Sequence, residues 1–158
     1  MLQDRGMTIG EAGRPERVEG MAVTPSFLAM LGVQPVLGRT FLEEEGEPGA
    51  NRQALLGWSL WQERYAGDAN VLGTSIRIND SEHTIVGVLP RDFVWEGRSE
   101  RLWIPLAFSE EQRSDDARHS NNWTMIGKLR PGATVERLQQ EIDAQNAGLL
   151  ERLPQFRD

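Results

Sequence analysis

The chain has 158 residues, with 24 Asp plus Glu against 17 Lys plus Arg and a formal net charge of −7. A field of that sign repels a phosphate backbone and excludes nucleic acid as the expected partner. The absence of cysteine removes disulfides, thiolate catalysis and cysteine-ligated metals together.

The length suits one hydrophobic core or two small lobes. No stretch approaches the roughly 18 apolar residues that would cross a bilayer, and the first residues lack the basic flank and apolar run of a secretory signal. Residues 1–17 mix Gly, Glu and Arg with few apolar positions and read as a loose lead-in. Val18 to Val23 reads as a short strand. Thr24 is an N-cap candidate with Pro25 at the first helical position, where a missing N–H is harmless. Phe27, Leu28, Met30 and Leu31 then form a short apolar helix, and Gly32 suits a left-handed exit.

Glu43, Glu44, Glu45 and Glu47 lead to the Pro48–Gly49 turn. They lack the spaced ligands and central glycine of a calcium loop, so a solvated surface run is favoured over a cation site. Gln53 to Gly57 is a short buried strand. Ser59 is a candidate cap for a helix carrying Trp61 and Tyr65 on one face. Core packing is favoured over ligand stacking for this pair and for Trp58.

Ile76 and Ile78 alternate with Ser75, Arg77 and Asn79, the two-residue period of a half-buried strand. A second strand runs from about His83 to Leu89 and is apolar on both faces, which makes it the more central of the two. Asn79, Asp80 and Ser81 accept hairpin-turn dihedrals, and Pro90 ends the ladder. Leu102 to Ile104 is a further strand ending near Pro105. Residues 109–122 are the most polar segment and read as a loop and internal boundary. Trp123, Met125, Gly127 and Leu129 alternate as one face of a strand. Thr134 then caps a final helix whose stripe of Val135, Leu138, Ile142, Leu149 and Leu153 requires a sheet to cover it, opposite a polar face with Glu136, Arg137, Gln140 and Asp143.

Chemistry is sparse. The two histidines, His83 and His119, stand far apart without an HExxH pattern, and both read as structural or solvent-facing. Ser81, His83 and Asp80 form a triad only on paper, because one hairpin turn cannot converge nucleophile, base and orienter. Neither GxGxxG nor GxxxxGK[ST] occurs. The residues therefore assign no catalytic, cofactor-binding or metal site. A deep pocket lined by Trp58, Trp61 or Trp103 would mark a binding module, and a convergent carboxylate pair or His site would mark an enzyme.

The ordered segments VTPSFLAMLGVQPVLGRTF, LLGWSLWQERYAGDANVLGTSIRINDSEHTIVGVLPRDF, LWIPL and GKLRPGAT resemble the MacB-like periplasmic core domain of bacterial ABC-type permeases, from about Val18 to the end. No one motif is chemically specific; their order carries the likeness. The resemblance implies a mixed α+β, two-lobed domain in which a porter-like βαβ lobe, residues 18–31 and 123–158, accepts an inserted mostly-β lobe, residues 32–108. Family members carry a further strand and helix before the match begins, where residues 1–17 show no such pattern, so the porter-like lobe is expected to be incomplete. The resemblance further implies a non-enzymatic, cofactor-free periplasmic domain of an inner membrane protein that transmits conformational change. The partners it implies are an ABC ATPase domain or subunit, a second permease copy and, in some relatives, a periplasmic adaptor. An extracytoplasmic ligand-binding or protein-interaction module is the alternative.

Overall fold

The computed structural model describes residues 1–10, 15–97, 100–114, 117 and 123–152. It separates into two units, Met1–Ile126 and Gly127–Asp158. The first contains seven strands: β1 (Leu2–Ile9), β2 (Glu16–Val23), β3 (Leu37–Gly38), β4 (Gln53–Leu56), β5 (Ser75–Ile78), β6 (Ser81–Val88) and β7 (Leu102–Pro105). Three of its helices are α1 (Ser26–Met30), α2 (Trp58–Tyr65) and α3 (Glu110–Arg113); the second unit holds α4 (Val135–Arg152).

The strand order β6-β4-β7-β2-β1-β5, with β5 returning to β6, closes six strands into a barrel, and β3 adds beside β6. This corrects the two-lobed expectation. β2, expected in a porter-like lobe, pairs in parallel with β7 from Gly20↔Leu102 to Val23↔Pro105, and β7 pairs antiparallel with β4. Strands expected in separate lobes therefore share one closed sheet, and the architecture is α+β with a six-stranded barrel and, among the described residues, four α-helices, rather than a porter-like βαβ lobe with an insert.

Two local readings change with it. Residues 2–9, read as lead-in, form β1, paired antiparallel with β2 from Leu2↔Val23 to Ile9↔Glu16. Trp123 to Leu129, read as a strand, contributes only the bridge Leu2↔Thr124, closed by two backbone bonds of 3.0 and 2.9 Å.

Ser59, read as the cap of the Trp61 helix, lies inside α2, whose N-cap is Gly57; the hairpin reading holds. β5 and β6 form the hairpin, with Ile78↔Ser81 flanking Asn79 and Asp80 at φ 46° and 67°, the left-handed pair of a tight hairpin turn. β6 is the central strand of the pair, bonded along its length to β3, β4 and β5. β7 is buried at all four positions. Alternate side chains serve two cores: Leu102 and Ile104 join Met7, Ile9, Leu56, Ile78 and Ile85, whereas Trp103 joins Met21, Phe27, Leu28, Leu55 and Leu89. Both sides of this stretch being covered explains its unbroken apolar composition.

Gly38 allows β3 to lie against β6. It has φ 72°, and a Cβ there would overlap the Val86 carbonyl oxygen. α1 ends as expected at Gly32 with φ 72°, but Thr24 does not cap it with its side chain; Oγ1 instead accepts the Met1 amine at 2.8 Å.

In the second unit, Thr134 Oγ1 accepts the Arg137 amide at 3.2 Å, the expected cap of α4. The Glu136 carboxyl is held below its usual range first by its own backbone amide and then by the Thr134 hydroxyl. Within this unit Val135, Leu138 and Ile142 lie along α4 and are 66%, 42% and 41% exposed. Leu153, the last position of that pattern, lies outside the described residues.

Candidate functional site

The hairpin at residues 79–83 tests the paper triad directly. His83 is buried on β6 and its Nδ1 donates to the Ser81 carbonyl at 3.0 Å, away from the hydroxyl chemistry a triad requires. Asp80 is instead paired with Arg77 at 3.2 Å, with its side chain 93% exposed. Burial holds the His83 pKa below the ordinary histidine value; the Ser81 bond opposes that shift, Arg52 adds to it and Glu82 opposes it. The ring is thus a neutral, backbone-anchored part of the barrel wall. His119 lies outside the described residues.

The acidic run is only partly solvated. Glu43–Gly46 forms one 3-10 turn that buries Glu45. Arg39 meets it through both terminal guanidinium nitrogens, Nη2 at 2.7 Å and Nη1 at 3.0 Å. Glu47 pairs with Arg113 at 3.0 Å across a shallow surface depression that Phe108 and Glu110 also line. No group of three or more His, Asp or Glu able to hold a metal occurs among the described residues.

The tryptophans divide between core and rim. Trp103 is 1% exposed and sits against Phe27 and Phe93, with ring centroids at 6.2 and 5.4 Å; Trp95 meets Phe27 edge-on at 5.0 Å. Trp61 packs against the core while its Nε1 donates to the Asp68 carbonyl at 2.9 Å, and Tyr65 packs beside it. Burial raises the Tyr65 pKa, against a smaller opposing effect of Arg64. Both positions agree with core packing.

Trp58 begins α2 and meets Trp61 edge-on at 5.1 Å. With Leu89, Pro90, Phe93 and the buried Glu100 it lines a cleft of about 190 Å³. Small-molecule sites usually occupy about 300–1,000 Å³, so this cleft suits one side chain better than a metabolite. Nothing in the sequence singled out Glu100, whose neighbours are polar and show no periodicity.

The ion pairs serve the scaffold. Arg101 precedes β7 and joins Glu16 at the start of β2 at 3.0 Å and Glu63 on α2, tying two strands to the helix packed over them. No helix among the described residues is long and apolar enough to cross a membrane.

Against this background of buried scaffold and scarce chemistry, a family model described as the MacB-like periplasmic core domain matches residues 3–145. The chain belongs to that family. As a MacB-like periplasmic core domain, it is an extracytoplasmic domain.

Solved structures agree on the fold. The periplasmic region of MacB from Actinobacillus actinomycetemcomitans is similar with a TM-score of 0.60 at 14% identity, covering 94% of this chain and 65% of that one. A domain of a putative permease protein from Porphyromonas gingivalis gives 0.57 at 22% identity, covering 99% and 63%. The extracellular domain of the noncanonic ABC-type transporter YknZ from Gram-positive bacteria gives 0.50 at 17%, covering 66% and 51%. The MacB-like chain thus spans about half to two thirds of the length of these structures. Comparison with curated proteins gives no match.

Proposed function

We propose that this MacB-like domain transmits conformational change on the outer side of a membrane, as a rigid part of an ABC-type permease. An ATPase domain or subunit drives it through the parent's membrane helices. The observation that carries this reading is the family match across residues 3–145. The barrel supports it physically: a closed sheet with two buried cores moves as a body, and the ion pairs of Arg101 fasten α2 to that body.

A second permease copy is the proposed opposing body, because a domain without its own energy source does work only by moving against something. A periplasmic adaptor is a further partner in assemblies that reach an outer membrane.

The test uses the full-length parent in membranes, with spin labels at Gln62 and Glu44, which are exposed on the barrel unit. Label separations between permease copies are expected to change between nucleotide-free and nucleotide-bound states. Distance distributions that superimpose in both states reject the mechanical role.

A further inference from the structure

The strand interfaces of the barrel are unequal. β1 is paired with β2 along its whole length, and β5 with β6 from Ser75↔Thr84 to Ile78↔Ser81. The interface that closes the circle, β1 with β5, holds the single pair Ile9↔Ile78 among the described residues. On the Thr8 side of that pair β5 has ended, and the turn residue Asn79 completes the closure. Its amide donates to the Thr8 carbonyl at 2.9 Å, and its side-chain Oδ1 accepts the Thr8 amide at 2.8 Å. One residue at φ 46° thus stands in for a length of β-strand.

The surroundings make this a weak seam. Thr8, Asn79 and Asp80 are exposed, so water replaces the clasp bonds as they break. Each lip is secured on its far side, β1 by β2 and β5 by β6, and β2 and β6 are bonded in turn to β7 and β4. Parting the seam therefore leaves every other strand pairing intact. It uncovers a line of apolar side chains, Met7, Ile9, Ile76 and Ile78, each 4% exposed or less. Their burial pulls the lips back together and makes the excursion reversible.

We propose that the Thr8–Asn79 clasp is a latch and that the β1–β5 seam is the point at which the barrel opens without unfolding. The inference rests on the barrel geometry and stands independently of the mechanical role proposed above.

Native-state hydrogen exchange on the 158-residue chain tests it. The Thr8 and Asn79 amides are expected to exchange at least about tenfold faster than those of Leu89 and Leu106, which bond to Leu56 and Val23, by an opening that denaturant barely accelerates. Asn79→Gly keeps the left-handed turn but removes the side-chain acceptor, and is expected to speed Thr8 exchange about fivefold. Asn79→Asp retains an acceptor and is expected to restore the slow rate. Thr8 exchanging with Leu89 in the unaltered chain overturns the latch, even if the Gly variant does not fold. So does an Asn79→Gly variant that speeds all four amides alike.

Discussion

Arg39 holds Glu45 from both sides of its carboxylate, Nη2 to Oε1 at 2.7 Å and Nη1 to Oε2 at 3.0 Å, while Oε2 also accepts the Leu42 amide at 2.8 Å. The pair is asymmetric: the Glu45 side chain is 6% exposed and the Arg39 side chain 43%. Removing Arg39 strands a buried carboxylate, and removing Glu45 leaves the Leu42 amide without its acceptor. Either Arg39→Ala or Glu45→Ala is expected to lower the unfolding free energy by about 2 kcal/mol, read by urea denaturation. The double variant should lose clearly less than the sum; additive losses would show that the two side chains are not coupled.

Close backbone approach at Gly38 sets a second expectation. Gly38→Ala combines a left-handed φ with overlap of the Val86 carbonyl, whereas Gly49, at φ 89°, has open space where a Cβ would stand. Gly49→Ala is expected to cost about 1 kcal/mol, the left-handed penalty alone. Gly38→Ala should cost more than about 3 kcal/mol, because β3 must leave β6. Equal melting temperatures for the two variants would contradict the packing of β3.

His83 gives the barrel a pH dependence of defined sign. Its pKa is lowered on folding, so the unfolded chain binds more protons in the window between the two values, and stability falls as pH drops below about 6.5. Thermal melts at pH 7.5 and 5.5 should show a larger loss for the native chain than for His83→Phe. An equal loss in both would place the acid sensitivity elsewhere.

The cap of α4 is a local device. Thr134→Ala is expected to weaken that helix by about 1 kcal/mol, seen as faster amide exchange over residues 135–140. Ile85 and Leu89 in the barrel unit should be unaffected. Simultaneous loss of protection in both would show that the units unfold together.

Legibility from sequence followed the range of the interactions. The β5–β6 turn could be read because Asn79 and Asp80 carry their conformational preference in their own side chains. β4 and β7 declared themselves as short apolar runs, and α4 by its cap and stripe. β1 stayed hidden because Gln3 to Gly6 interrupt its apolar positions; a long pairing with β2, rather than local preference, makes it a strand. The converse held at Trp123 to Leu129, where alternation was present but only Thr124 meets a neighbouring edge. Barrel closure was illegible because its strand order is not the chain order, and the resemblance to a two-lobed relative pointed the other way. At the level of chemistry, Glu45 was lost among similar neighbours because its distinction lies in where Arg39 reaches it.

The placement of β7 governs how the molecule must be assembled. It is the last stave of the barrel along the chain, yet it stands between β2 and β4. A chain delivered from its N-terminus therefore presents two half-shells, one from the first hairpin and one from residues 53–88, that can meet at the β1–β5 seam before the stave that closes the other side exists. Burial of Trp103 and completion of the wall come in one late step, and until then each half-shell has a raw edge in need of protection from other newly made chains.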